Sequence, residues 1–180
     1  LALLTATTAA QPTPGRTLDQ LHASYPRKRL ELVQQHKSLE EIRQLTEEFT
    51  RELEGFLEKE AAGPDRFNAR LMLVDYLLSL GARERAVTTL QAIDANEAPA
   101  MALAAAAQLA THLGLGEKRG QWIDAAIAKK EPFESRMALA MHLMTKLQEI
   151  DKGQRIIDEA FAAAADDEER AKVKWYEAAA

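Results

Sequence analysis

A helix–turn–helix pattern recurs along this chain about every 33–34 residues. The three copies span residues 64–96, 98–130 and 132–165. A repeat of this length predicts stacked helical hairpins, because a single hairpin cannot bury its own apolar face. The second helix of each copy carries matching small and apolar residues: Ala86, Leu90 and Ile93; Gly120, Ile123 and Ile127; and Gly153, Ile157 and Ala160.

The composition favours an all-α fold and excludes several classes of function. The chain is rich in alanine, leucine, glutamate, lysine and arginine, which favour helices. A net charge of -5 leaves no basic stripe for nucleic acid. The absence of cysteine excludes disulfides and thiolate chemistry within this chain. No stretch approaches the roughly 20 apolar residues of a membrane span, so stable membrane insertion is not expected.

The first 16 residues differ from the rest. The segment LALLTATTAA is apolar and then small, and QPTPGR follows it as a linker. This order resembles the end of a signal peptide and its cleavage zone. It predicts export to the bacterial periplasm or cell envelope. A disordered linker in a cytoplasmic protein is the alternative.

Residues 17–180 are predicted to form a single helical repeat domain, in which residues 17–61 form an N-terminal helical pair. Thr17 to Gln20 and Ser38 to Glu41 have the spacing of capping boxes. Pro26 predicts a break or kink, because proline lacks the amide that the preceding turn requires. The apolar positions expected to face the core of this pair are Leu18, Leu21, Leu30, Val33, Leu39, Ile42, Leu45, Phe49, Leu53, Phe56 and Leu57.

The chain is predicted to end in a helix over residues 166–180. Asp166 and Asp167 are expected to cap it, and Val173, Trp175 and Tyr176 are its large apolar residues. No polar terminal repeat covers this helix, so further sequence is expected to follow it.

The stretch from Asn68 to Ile93 resembles a tetratricopeptide repeat. The resemblance covers residues 64–165 and extends weakly over 39–63, although Arg70 and Arg83 stand where the family places aromatic residues. It implies a right-handed array of antiparallel helical hairpins, a tetratricopeptide-like α-solenoid. The residues that carry the family pattern are Leu73, Leu77, Gly81, Ala86 and Leu90.

This resemblance implies a non-catalytic scaffold that binds a peptide or protein segment on its concave face. The first helix of each hairpin lines that face in the family. The partner-facing candidates are therefore Asn68, Asp75, Ser79, His112, Ser135, His142 and Thr145.

A structural role is the alternative to the scaffold. A signal-like start before a helical segment is similar to exported bacterial proteins in which such a segment precedes a thioredoxin-like domain. The chain would then act as a spacer, or as a dimerisation module that buries the 39–61 or the 166–180 helix.

The sequence predicts neither catalysis nor a cofactor. Its four histidines lack the close spacing of a metal motif, and its paired carboxylates fit solvated helix faces. Met137, Met141 and Met144 share one helical face, which raises the hypothesis of a Cu(I) site because thioethers are soft ligands. The pattern favours gap-filling core methionines instead.

Overall fold

The computed structural model describes residues 17–59 and 63–179. The predictions for residues 1–16, a signal-peptide remnant or a linker, lie outside the described residues. The described part of the chain is all-helical, as expected from the composition. Its helices are α1 (Leu18–Gln34), α2 (Leu39–Lys59), α3 (Pro64–Ser79), α4 (Arg83–Gln91), α5 (Ala100–Leu113), α6 (Gly116–Ala128), α7 (Phe133–Thr145), α8 (Ile150–Ala163) and α9 (Asp167–Ala179).

Both predicted capping boxes are confirmed. The Thr17 hydroxyl accepts from the Gln20 amide at 3.3 Å, and the Gln20 side chain accepts from the Thr17 amide at 3.1 Å. Ser38 and Glu41 exchange the same two bonds at 3.2 and 2.9 Å. Each pair satisfies two amides that the first turn of a helix leaves without partners.

Of the break or kink predicted at Pro26, the break does not occur. It lies inside α1, which continues to Gln34. Pro26 is exposed, so the carbonyl that loses its helical partner lies on the side where water can bind it. Leu21 and Tyr25 on the buried side hold the helix against its neighbours.

Neighbouring helices in the chain pack on each other. α1 packs on α2 and α2 on α3, while the later helices pack as α3 with α4, α5 with α6, and α7 with α8. The helices α3, α5 and α7 also contact each other in turn, more extensively than α4, α6 and α8 do. At the centre lies α5, whose inward side chains are mostly alanines and therefore let the surrounding helices approach closely.

The predicted inward positions are confirmed for most of the chain, including Ala86, Leu90, Ile123 and Ile157. Three apolar residues depart from the prediction. Leu39 is 86% exposed, and Leu30 and Val33 are also exposed. Helical periodicity identifies an apolar face, but it does not show whether a neighbouring element covers that face.

Arginine side chains close several helix ends. Arg83 on α4 donates to the carbonyl of Leu113, at the end of α5, at 2.7 Å. Arg119 on α6 donates to the carbonyl of Leu147, just after α7, at 2.9 Å. These carbonyls lack helical partners, so each arginine caps the end of a helix. Arg83 thereby links α4 to α5, and Arg119 links α6 to α7.

Two further bonds join residues 31 and 33 positions apart in the chain. The amide of Ala100 donates to the Glu131 carboxylate at 3.3 Å, and Lys129 donates to the carbonyl of Asn96 at 2.6 Å. Among the described helices, none combines the length and apolar character needed to cross a membrane.

Candidate functional site

A broad groove opens between α1, α2 and α3, and we call it the N-terminal groove. Its volume is about 1050 Å³. Each of the three helices contributes side chains over about two turns. The lining residues are Tyr25, Pro26, Arg29, Leu30, Val33, Leu39, Ile42, Arg43, Thr46, Asp75, Tyr76, Ser79 and Leu80.

Three aromatic rings lie at the base of the groove. Tyr25 stacks on Phe49 with ring centroids 4.9 Å apart, and Tyr76 meets the two rings edge-on at 4.6 and 5.0 Å. The hydroxyl groups of Tyr25 and Thr46 are hydrogen-bonded at 2.9 Å. Because the three rings come from three helices, this cluster fixes the positions of α1, α2 and α3 relative to one another.

Large apolar side chains stand exposed along the groove. Leu30 is 57% exposed, Val33 49% and Leu39 86%. These three are half of the six large apolar side chains that are exposed in the described part of the chain. Scattered exposed apolar residues are ordinary, whereas several that share one concavity make it a candidate binding surface.

The turn between α1 and α2 lies directly before Leu39. His36 adopts the left-handed conformation, with φ of 53°. The amide of Lys37 reaches back to the carbonyl of Leu32 at 3.0 Å, which is a Schellman-type end in which histidine takes the usual place of glycine. Helix α2 begins two residues later, with Leu39 as its first residue.

The groove carries charges of both signs. Arg43 is held by Glu47 at 3.2 Å. Neither Arg29 nor Asp75 forms an ion pair with another described residue. These two side chains are therefore free to pair with charges on a bound molecule.

Tyr76 stays neutral at physiological pH. Burial raises the pKa of its hydroxyl to about 12, and the nearby Tyr25 and Asp75 act in the same direction, while Arg29 opposes them. A neutral phenol can donate a hydrogen bond as well as accept one.

The groove contains two of the residues predicted to face a partner. Asp75 and Ser79 line it, and Asn68 lies on the same stripe of α3 but outside the groove. His112 is exposed on α5, and Ser135, His142 and Thr145 lie on α7; none of these lines the groove.

His142 is the least ordinary of these outlying residues. It is half-buried, and its Nε2 is enclosed without a hydrogen-bond partner. Burial lowers the pKa of its imidazole, and the nearby charge of Lys146 lowers it further.

A metal site is not supported by this geometry. In the described part of the chain, His, Asp and Glu side chains do not form groups of three or more that could hold a metal ion. Met137 is fully buried, and Met144 presses against Gly153 in the contact between α7 and α8. Met137 and Met144 therefore fill space in the helix packing.

Sequence reasoning missed most of the groove. It assigned Leu30, Val33 and Leu39 to the core, and it did not select Tyr25 or Arg29. The only local signal was the basic cluster Arg27 to Arg29 directly before exposed apolar residues of the same helix.

Comparison of the chain with protein-family models, curated proteins and solved structures finds no match.

Proposed function

We propose that this protein is a non-catalytic interaction scaffold that holds a segment of another protein in the N-terminal groove. The observation that carries the proposal is the concentration of Leu30, Val33 and Leu39 along one concavity. Burying such side chains on binding would contribute about 25 cal/mol for each Å² of apolar surface removed from water.

The size and shape of the groove favour a chain segment over a small molecule. Small-molecule sites commonly have volumes of about 300–1,000 Å³ and bury most of their ligand. The N-terminal groove, at about 1050 Å³, lies at the upper end of that range and is open to solvent between the helices. A peptide fits an open groove of this size better than an enclosed small ligand does.

We also infer that the helices from α3 to α8 form the right-handed array of antiparallel hairpins that the tetratricopeptide resemblance implies. The bonds that join consecutive segments support this reading. Arg83 to Leu113, Arg119 to Leu147, Ala100 to Glu131 and Lys129 to Asn96 all connect residues 28–33 positions apart. Such a constant separation is typical of a repeat that contacts its neighbour in the sequence.

The proposed scaffold differs in one respect from the expectation that the resemblance implied. The expected binding face ran along the first helices of three hairpins. The N-terminal groove instead uses only α3 of those helices, together with the preceding pair α1 and α2.

A peptide-display selection tests the scaffold proposal. A random library of 14-residue peptides is selected on the wild-type protein, and the enriched peptides are measured against Leu30→Glu. A carboxylate in the apolar groove is expected to weaken binding by about tenfold, which corresponds to about 1.4 kcal/mol. The matched control is Ile150→Glu, since Ile150 is 60% exposed at the start of α8 and does not line the groove.

The outcome separates groove binding from other binding. Peptides that lose affinity for Leu30→Glu and keep it for Ile150→Glu support the proposal. Failure to enrich any peptide, or equal affinity for both variants, would contradict it.

Dimerisation is a second candidate, and the surface of α9 favours it. Trp175 is 66% exposed and Phe161 on α8 is 38% exposed. Analytical ultracentrifugation of the wild-type protein and of Trp175→Glu over a range of concentrations tests this role. Dimerisation through this surface predicts a wild-type dimer and a monomeric Trp175→Glu variant.

A further inference from the structure

We infer that the segment held in the N-terminal groove is an amphipathic helix that brings a carboxylate to Arg29 and a cation to Asp75. This inference rests on the proposed scaffold function and specifies the chemistry of its partner. Three features of the groove carry it: its hydrogen-bonding groups, its dimensions and its charges.

Three of the four hydroxyl groups of the groove, those of Tyr25, Thr46 and Ser79, are already engaged, and only that of Tyr76 forms no hydrogen bond among the described residues. Thr46 donates to the carbonyl of Ile42 at 2.9 Å and is bonded to the Tyr25 hydroxyl. Ser79 donates to the carbonyl of Tyr76 at 2.7 Å. The described part of the chain contains no strand whose edge could pair with a peptide.

These engaged groups disfavour an extended occupant. An extended peptide would bury amide and carbonyl groups that find no partners, and each such loss costs about 1–3 kcal/mol. A helix satisfies its backbone internally and presents only side chains to the groove. Its packing on α1, α2 and α3 would follow the same rules as the contacts within the protein.

The dimensions of the groove fit about two turns of helix. Its wall on α1 runs from Tyr25 to Val33, eight residue steps of about 1.5 Å each, or about 12 Å. A helix of that length presents three or four side chains on one face, at positions i, i+3 or i+4, and i+7. We expect these to be apolar, since they would contact Leu30, Val33 and Leu80.

The charges of the groove define the flanks of the occupant. Arg29 lies on α1 and Asp75 on α3, and both side chains line the groove. As both lack an ion-pair partner among the described residues, a helix between them is best matched by an acidic residue on one flank and a basic residue on the other.

Charge-reversed proteins test this assignment with the same displayed library. Selections are run separately on wild type, Arg29→Glu and Asp75→Lys. Wild type is expected to enrich peptides with apolar residues at helical spacing, an acidic flank and a basic flank. Each single reversal should weaken these peptides by about fivefold, and peptides selected on it should carry the opposite charge on one flank.

Circular dichroism of an enriched peptide in complex with the protein provides the second readout. An increase in helical signal on binding, together with loss of binding when a central residue is replaced by proline, supports a helical occupant.

The outcomes distinguish this inference from the scaffold proposal. Two outcomes overturn the inference and leave the scaffold proposal standing. In the first, peptides whose binding depends on Leu30 bind as extended or proline-rich segments. In the second, their affinity is unchanged by both charge reversals. A wild-type protein that self-associates through a contact sensitive to Leu30→Glu also overturns it, because the occupant is then a second copy. Failure to select any peptide overturns both.

Discussion

The enclosed Nε2 of His142 makes this residue a source of pH-dependent stability. Burial and Lys146 hold the pKa of the folded imidazole below its ordinary value of 6.5. Protonation is therefore harder in the folded state than in the unfolded chain. The contribution to stability is complete above about pH 6.5 and is lost as the pH falls from there through the lower folded pKa.

We predict that wild type loses more stability than His142→Gln between pH 7.5 and pH 5, because glutamine does not titrate. Urea unfolding at the two pH values gives the free energies of unfolding. The control is His112→Gln, since His112 is exposed on α5 and should leave the pH dependence close to that of wild type. An equal loss in wild type and His142→Gln would refute this role for His142.

Residues whose environment is local could be predicted from the sequence. The capping boxes of α1 and α2 depend only on a hydroxyl and an acceptor three residues apart, and both form. The exposure of Leu39 depends on where α1 lies, and nothing in the sequence near Leu39 specifies that. The same holds for Arg70 and Arg83. The sequence shows that they stand where the tetratricopeptide family places aromatic residues, but it does not show that they bond to the ends of α4 and α5.

At the scale of the helices, Gly153 determines how closely α7 and α8 approach. A Cβ at this position would lie 2.8 Å from the carbonyl oxygen of Ala140 and would also collide with Met144. Gly120 was aligned with Gly153 in the sequence, but a Cβ there would meet no atom within 4 Å. The two glycines are thus equivalent in the repeat pattern and different in packing.

We predict opposite effects of alanine at these two positions. Overpacking costs about 1–3 kcal/mol, whereas alanine gains about 1 kcal/mol over glycine within a helix. Gly153→Ala should therefore lose about 1 kcal/mol of stability, and Gly120→Ala should gain up to about 1 kcal/mol. Urea unfolding of both variants measures this difference, and a stabilised Gly153→Ala would show that α7 and α8 do not pack as closely as described.

The extents of the helices followed from the sequence more closely than their packing. Glycine and proline punctuate most of the turns, and the segments predicted around residues 64–96, 98–130 and 132–165 coincide with α3 to α8. The continuity of α1 through Pro26 was not predictable from the proline alone. It depends on the contact of Tyr25 with Phe49 and Tyr76, residues from two other helices.

At the scale of the whole molecule, α1 and α2 form one part of the chain, and α3 to α8 form another. The helices from α3 to α8 contact one another, and α2 of the N-terminal pair packs on α3. The N-terminal groove lies where these two parts meet, so no single segment of the sequence encodes it. The repeat pattern predicted the helices α3 to α8, but it carried no information on the shape of this junction.

The measurement that tests the account most directly is photo-crosslinking from a single cysteine. The chain contains no cysteine, so Val33→Cys carries the only thiol. Val33 is 49% exposed in the groove, and a benzophenone maleimide attached there would contact a bound segment. The control is the same label on Ile150→Cys, which is 60% exposed on α8 and outside the groove.

Each labelled protein is irradiated with a peptide selected on wild type, and the products are identified by mass spectrometry. The account predicts a crosslink from Val33→Cys that excess unlabelled peptide suppresses, and none above background from Ile150→Cys. Crosslinking from Ile150→Cys alone, or equally from both positions, would contradict the claim that the N-terminal groove is the binding surface.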